Sequence, residues 1–373
     1  MYIITLAIFV ILQIPTALSR NIGSLLVLRF LTGFFASPAL ATGGASVSDI
    51  FGYKVVPYAI AGWAMGAVMG PVLGPIVGSF AAQAENWRWP LWELAWISGF
   101  TCLFLFFLLP ETLGDTILLR RAQRLRKLTG NPKLRSASEI RQAEMKMGEV
   151  VKEVFIRPFQ LMTEPAVLFI NIYIGFAYAI FYLWFEAFPL VFNDIYHMSE
   201  GVGSLPFIGI IVGAGLSYVI YALYLYYYLN PKWERQGSLE PEERLGVAVV
   251  AGFSIPISLF IFGWTSRASV HWIVPTIGAG LYMPGIFLLF QSGLVYLPLS
   301  YQRYAASVLA GNDFFRSSIA SAFPLFGRAY FKSLGIGGGS SMLAGVALLM
   351  IPVLYLLMKK GAKLRAMSKY ATS

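Results

Sequence analysis

Long runs of apolar residues recur along the whole chain, separated by short polar or charged segments. An α-helix needs about 20 consecutive apolar residues to cross the hydrocarbon core of a bilayer. The runs of adequate length predict ten spanning helices, at residues 2–19, 22–47, 57–82, 91–109, 165–192, 203–229, 246–264, 270–291, 305–328 and 341–358. The first run could instead be a signal peptide cleaved at Ala17-Leu18-Ser19, but it lacks a basic start and is long for one. The pattern therefore predicts an all-α polytopic membrane protein.

The one marked change in this pattern is the charged stretch from about 110 to 164. It predicts a basic cytosolic linker between a bundle of four spans (1–109) and a bundle of six (165–358), with a basic tail at 359–373. Residues 118–127 form a basic, partly helical run. Such a run either recognises anionic lipid head groups or is simply charge retained on the cytosolic side. The sequence favours the second reading.

Lysine and arginine predict the orientation of the spans, because cytosolic loops carry an excess of both. With the N-terminus inside, 21 of the 28 basic residues fall in cytosolic segments, and five fall outside. Both termini are therefore expected in the cytosol.

Composition agrees with a membrane protein and excludes several other classes. The chain is 57% hydrophobic and 12% charged, whereas soluble domains are about 25% charged. The net charge of +10 therefore reflects the basic residues that set the orientation of the spans, and it does not indicate nucleic-acid binding. One cysteine and two histidines are too few for an ordinary zinc site, and no Gly-Lys pair exists to form a phosphate-binding loop. We expect no metal, no cofactor and no nucleic-acid partner.

The third span carries glycines at a strict spacing of four, interrupted by two prolines. Residues four apart share a helix face, so these glycines predict a smooth stripe that another helix can approach closely. The stripe could be a plain helix contact, but the prolines favour an interface that moves. The motif comprises Gly62, Gly66, Gly70, Pro71, Gly74, Pro75 and Gly78.

Two charged residues inside apolar runs are candidates for proton coupling. Arg29 lies in the second span, where a buried guanidinium is costly unless it faces a cavity or a partner. Its alternative is that it reaches the membrane interface. Glu186 lies in the fifth span, where an apolar setting favours the neutral carboxyl and allows it to take up and release a proton. The alternative, that Glu186 lies near the outer interface, remains equally open.

Aromatic and polar residues near Glu186 and in the ninth span are candidates to line a substrate cavity. Tyr178, Tyr182 and Phe185 could stack on aromatic or cationic substrates. In the ninth span, Asn312 and Arg316 share a helix face. Asp313 is three residues from Arg316 and could neutralise it, so a structural role for Arg316 stays open.

These motifs resemble those of a known transporter superfamily. The frame Leu25-x3-Arg29-x2-Thr32-Gly33 looks like the fourth-helix signature of major facilitator transporters, and the glycine stripe looks like their fifth-helix antiporter signature. More narrowly, the chain resembles the fungal twelve-spanner drug:H+ antiporters. The further motifs that carry this resemblance are Pro110-Glu111-Thr112, Phe185-Glu186-Ala187-Phe188-Pro189, Pro241-Glu242-Glu243-Arg244-Leu245, His271-Trp272 and the stretch from Tyr304 to Phe326.

Two features depart from the family pattern. Pro75 stands where a second glycine is expected after Gly74, a variant that the fungal branch tolerates. The chain also begins at what resembles the third helix of the family, so the first two helices are expected to be missing. The division into four and six spans agrees with that expectation.

The resemblance implies a two-bundle major facilitator fold and a proton-coupled exporter of small amphiphilic or cationic drugs or toxins. Arg29 and Glu186 would couple protons, the glycine stripe would gate, and the aromatic and polar residues named above would line the cavity. It further implies a monomer among membrane lipids, in the plasma membrane rather than the vacuolar membrane. The alternative hypothesis is a truncated, non-transporting fragment of such a transporter. An enzyme is not expected: a membrane-embedded enzyme would need a clustered nucleophile, a carboxylate pair or histidines, and both His197 and His271 fall in outer loops or at their edges.

Overall fold

A computed structural model describes residues 2–52, 54–144, 147–237 and 239–371, and these residues form helices and turns without a strand. The predicted all-α fold is confirmed. The chain divides into two compact units, Met1–Met147 and Gly148–Ser373. The boundary between the units falls within the predicted linker. The first two helices of the linker belong to the first unit, and its last part belongs to the second.

The first unit consists of four apolar helices followed by two polar ones. In it, α1 packs against α2 and α4, and α3 packs against α2 and α4. Asn21 begins α2 as its N-cap, because its side-chain Oδ1 accepts a hydrogen bond of 2.7 Å from the Ser24 N–H. The helices are α1 (Tyr2–Ala17), α2 (Ile22–Ile50), α3 (Val56–Ala84), α4 (Trp89–Leu108), α5 (Gly114–Thr129) and α6 (Ala137–Glu144).

A glycine of α2 lies against a tryptophan of α3. A Cβ atom added to Gly43 would lie only 2.3 Å from Nε1 of Trp63, so no larger residue fits there without a shift of the indole. Small residues allow membrane helices to approach in this way.

The second unit contains the larger core. Its α-helices, of which α7 lies at the division between the units, are α7 (Met147–Val151), α8 (Arg157–Met162), α9 (Pro165–Phe188), α10 (Glu200–Ser204), α11 (Ile208–Tyr224), α12 (Asn230–Gln236), α13 (Leu245–Gly252), α14 (Ser254–Thr265), α15 (Ile273–Gly280), α16 (Tyr282–Ser300) and α17 (Ala305–Met367). Tighter or wider turns extend several of them, at Lys152–Ile156, Pro189–Ile195, Leu205–Phe207, Leu225–Leu229, Pro241–Arg244 and Gln302–Tyr304.

Gly335 interrupts α17 and separates the last two predicted spans. Its φ of 72° and ψ of 159° are accessible almost only to glycine. The segment Gln302–Met367 has 66 residues and would measure about 100 Å as one straight helix, about three times the thickness of the hydrocarbon core. The Tyr330 hydroxyl donates a hydrogen bond of 2.8 Å to the Gly339 carbonyl across this break.

Eight helical segments of the described chain are long and apolar enough to cross a membrane. The interrupted segment Gln302–Met367 includes two of the ten predicted runs. The first predicted run forms α1, whose 16 residues fall short of a full span. The ten predicted runs are therefore all helical, although the first is shorter than expected.

The core of the second unit is built from α9 and the helices around it. The side chains of Tyr173, Phe188, Phe262 and Tyr282 are almost completely buried there. Glycines allow α11 and α15 to touch, because a Cβ atom on Gly213 would lie 2.1 Å from the Gly280 carbonyl oxygen.

A buried ion pair joins the start of α13 to the end of α17. The Arg365 guanidinium donates from Nε and Nη2 to the two carboxylate oxygens of Glu242, both over 2.8 Å. Glu242 is 4% exposed, and Gly361 leaves room for it, since a Cβ atom there would lie 2.7 Å from the carboxylate. The bidentate geometry fixes these two segments together.

Candidate functional site

Four aromatic side chains follow one another along α9. Phe181, Tyr182 and Phe185 lie three, four and seven residues after Tyr178, a spacing that places all four on one helix face. The rings of Tyr178 and Tyr182 have centroids 5.0 Å apart, and their hydroxyl oxygens are 3.2 Å apart. The ring centroids of Phe185 and Tyr182 are 5.8 Å apart. The structure therefore brings together the three aromatic residues that the sequence proposed for the cavity.

Arg316 of α17 joins this aromatic cluster. Its guanidinium carbon lies 4.9 Å from the centre of the Tyr178 ring and 5.4 Å from that of Phe290, a residue of α16. Its Nη2 also forms an ion pair with Asp313, one turn earlier. An arginine over two aromatic faces gains cation–π attraction, which increases as water is excluded. The result is a charged group that lies against two aromatic rings.

Asn312 forms a buried pair with Asn171. Its Nδ2 donates a hydrogen bond of 2.7 Å to Oδ1 of Asn171, and Asn312 is fully buried. Oδ1 of Asn312 and Nδ2 of Asn171 have no partner among the described residues. In this conformation the pair links α9 to α17 instead of facing open space, and the predicted cavity role of Asn312 stays a prediction.

Glu186 lies beside the aromatic cluster on α9 and faces α17. It is half-buried, and a Cβ atom on Gly327 would lie 3.3 Å from its Cβ and Cγ atoms. No ion pair or hydrogen bond joins its carboxyl to another described residue. This carboxyl is therefore free of the neutralising partners that Asp313 and Glu242 have.

Arg29 and the glycine stripe belong to the first unit. Arg29 is exposed in α2, and its carbonyl oxygen accepts a hydrogen bond of 2.9 Å from the Thr32 hydroxyl. A Cβ atom on Gly66, Gly70 or Gly74 would meet no described atom within 4 Å. The helix α3 is continuous through Pro71 and Pro75. The stripe is thus uncovered at these three glycines, whereas a Cβ atom on Gly78 would lie 3.4 Å from Cβ of Pro90.

Two cavities lie elsewhere. One, of about 560 Å³, is lined in part by Phe155, Phe159 and Tyr370, and a smaller one, of about 290 Å³, by Arg88, Trp92 and their neighbours. Neither includes a residue that the sequence proposed for the site. Among the described residues, no three His, Cys, Asp or Glu side chains are close enough to hold a metal ion.

Sequence reasoning missed Phe290 and Asn171 as partners of the proposed residues. Asn171 is an amide in an apolar span, and that signal could have identified it as a buried pairing group. Phe290 gives no such signal, because it is one of 29 phenylalanines and its contact with Arg316 depends on how α16 and α17 pack.

Comparisons with known proteins extend over most of the chain. The sequence profile of the Major Facilitator Superfamily matches residues 1–324. Transporter mfs1 of Schizosaccharomyces pombe is 47% identical, over the whole of this chain and 71% of its own length. The cycloheximide resistance protein of Candida maltosa is 43% identical, over the whole of this chain and 69% of its own length.

A solved structure shows the same fold. The proton:xylose symporter XylE, bound to 6-bromo-6-deoxy-D-glucose, aligns with 96% of this chain and 79% of its own, with a TM-score of 0.60. Only 14% of the aligned residues are identical, so this likeness concerns the fold.

Proposed function

The chain belongs to the major facilitator superfamily, and on that premise we propose that it is a proton-coupled exporter of small amphiphilic drugs or toxins. It is a multi-pass membrane protein and a secondary transporter of small molecules. The name of the Candida maltosa relative, a cycloheximide resistance protein, supports export of toxic compounds by this chain. In such a transporter two bundles alternate their access to the two sides of the membrane.

The observation that carries the proposal is the position of Arg316 over the rings of Tyr178 and Phe290. Aromatic faces bind flat and cationic molecules through stacking and cation–π attraction. Tyr182 and Phe185 extend that surface along α9. We assign this cluster to the substrate cavity, with Arg316 and its partner Asp313 as the charged groups that orient the substrate.

Proton coupling is assigned to Glu186 and Arg29. An ionisable side chain inside an apolar span commonly belongs to an ion or proton pathway. Glu186 is such a residue, and no described cation pairs with its carboxyl. Arg29 lacks a pairing carboxylate among the described residues, so its charge is available to a proton-dependent step.

We assign the glycine stripe of α3 to a helix–helix contact that opens and closes during transport. Side-chain-free surfaces let helices slide or seal at short distance. The proposed bundles are 1–109 and 165–358, joined by the linker and followed by the tail. The transporter would act as a monomer in the plasma membrane, with the vacuolar membrane as the alternative location.

Transport by the reconstituted chain tests this proposal. Vesicles with an acidic lumen are mixed with ethidium, whose permanent charge prevents passive trapping by pH. Antiport predicts that ethidium enters as protons leave, and that dissipating the gradient stops entry. Tyr178→Ala should slow entry by about tenfold, the loss expected when an aromatic face of a cation–π site is removed.

Tyr227→Ala is the matched control, because Tyr227 is an exposed aromatic residue outside the cluster. Glu186→Gln and Arg29→Ala should remove the dependence of entry on the pH gradient. Ethidium entry that ignores the gradient in the unmodified protein would contradict proton coupling. Equal rates for Tyr178→Ala and Tyr227→Ala would contradict the assigned cavity.

A further inference from the structure

The linker helix α5 has an apolar surface that nothing in the described chain covers. Ile117, Leu118, Leu125 and Leu128 are between 40% and 82% exposed. At 3.6 residues per turn, these four positions lie within an arc of about 100°. They form a continuous stripe, here called the linker stripe, along a helix of 16 residues.

Arginines accompany the linker stripe. Arg121 lies within its arc, and Arg120 and Arg124 lie along one edge, all three exposed. Arg120 has a distant ion pair of 3.5 Å with Glu111, whereas Arg121 and Arg124 have no acidic partner among the described residues. The surface therefore combines apolar area with uncompensated positive charge.

The opposite face of α5 is held by α6. Arg126 forms an ion pair with Glu139, and the Arg141 guanidinium donates to Asp115 over 2.8 Å. Leu119 and Ala122 lie on this half-buried side. These contacts fix the rotation of α5 and leave the linker stripe facing outwards.

We propose that α5 lies flat on the membrane and binds anionic lipids through the linker stripe. A helix with leucines on one face and arginines beside them is typical of segments that lie in the interface plane of a bilayer. The helix is about 24 Å long and carries too much charge to span. Its positive charge complements the negative surface of the cytosolic leaflet. The distribution of basic residues along the chain predicts that the linker lies on that side of the membrane. Basic residues that only set the orientation of the spans would not need exposed leucines beside them. The leucines of the linker stripe therefore favour lipid binding.

The depth of α5 in a membrane is measurable on the full chain. Cys102 is the only cysteine, so a Cys102→Ser background allows one fluorescent label at Leu125→Cys or, as the matched control, at Gln123→Cys on the other side of the helix. Each protein is reconstituted into vesicles of phosphatidylcholine with or without phosphatidylserine, and spin-labelled lipids quench the fluorophore. Because both leaflets have the same lipids, the orientation of the protein does not affect the result.

We expect quenching in the anionic vesicles to be about threefold stronger at residue 125 than at residue 123. In phosphatidylcholine, or with Arg120→Gln, Arg121→Gln and Arg124→Gln combined, the signal at residue 125 should fall towards that of the control. Equal quenching at the two positions would overturn the proposal, as would quenching at residue 125 that ignores lipid charge. A water-soluble quencher is tested in parallel. A label that neither the spin-labelled lipids nor the water-soluble quencher reaches would show that protein covers the linker stripe, and this result would also overturn the proposal.

Discussion

At the scale of single residues, several polar side chains of the second unit have a specific partner. Asn171 pairs with Asn312, Asp313 with Arg316, and Glu242 with Arg365. Each pairing offsets the cost of removing a polar group from water. Glu186 differs because its carboxyl lacks such a partner in the described chain, and that difference supports its proposed role.

The pair of Glu242 and Arg365 gives a prediction about stability. Glu242→Ala leaves the Arg365 guanidinium buried without its carboxylate, so we expect a loss of about 3–5 kcal/mol in the free energy of unfolding. Arg365→Lys should not preserve stability, because an ammonium cannot form the bidentate contact. Unfolding in detergent measures both changes.

Glu243 provides the control for Glu242. It forms a partly exposed ion pair with Lys232 over 3.1 Å, and such pairs contribute about 1 kcal/mol or less. Losses of equal size for Glu242→Ala and Glu243→Ala would show that the bidentate pair adds no stability of its own.

At the scale of elements, glycine and capping residues determine where helices end or break. The break at Gly335 divides α17 into two segments of spanning length. Ser136 and Glu139 begin α6 by a reciprocal capping contact: the Ser136 N–H donates to Glu139 Oε2 over 2.9 Å, and the Glu139 N–H donates to the Ser136 hydroxyl over 3.2 Å.

Replacing Gly335 should destabilise the second unit. Alanine at a φ of 72° and ψ of 159° places a Cβ atom in a conformation that costs about 1–3 kcal/mol. Gly345→Ala is the control, because Gly345 lies within α17 with open space at its Cβ position, and alanine favours helix there. Thermal unfolding in detergent should show a lower midpoint for Gly335→Ala only; equal midpoints for the two variants would argue against strain at the break.

The capping contact of α6 should depend on pH. The hydrogen bond from the Ser136 N–H, followed by that from the Arg126 side chain, holds the pKa of the Glu139 carboxyl below its ordinary value. A lowered pKa contributes stability above the unfolded-state value of about 4.3, and this contribution disappears as the pH falls through the lower folded value. Amide hydrogen exchange in residues 137–144, corrected for its intrinsic rate, should therefore accelerate below about pH 4. In Glu139→Gln this added acceleration should vanish; its persistence would assign the effect to another group.

At the scale of the whole molecule, the two units differ in how much of their apolar surface they cover. Within the most apolar part of each spanning helix, 6–17% of residues are buried in the first unit, compared with 33–67% in the second. Apolar surface of this extent needs lipid or other apolar contact, which agrees with a multi-pass membrane protein.

The predicted orientation places both termini in the cytosol, and it can be tested residue by residue. In the Cys102→Ser background, a cysteine at the exposed Ser269 should react with a membrane-impermeant maleimide added to intact cells. A cysteine at the exposed Lys363 should react only after the cells are permeabilised. The opposite pattern would invert the topology derived from the positive-inside rule.

The class of the molecule, its helical runs and its superfamily follow from the amino-acid sequence alone. Length and apolarity of a run are local properties, so spans such as 57–82 and 165–192 were predicted close to the observed helices Val56–Ala84 and Pro165–Phe188. The motifs around Arg29 and Gly70 pointed to the major facilitator superfamily, and the comparisons confirmed it.

Which polar and aromatic side chains meet depends on how the helices pack, and this is visible only in the folded structure. Asn171 and Asn312 are 141 residues apart, and Arg316 reaches Phe290 because α16 and α17 pack side by side. Such contacts depend on the rotation and crossing of distant helices, which a hydrophobic period does not encode. For the same reason the sequence located the basic run of α5, whereas the structure showed that its leucines face outwards.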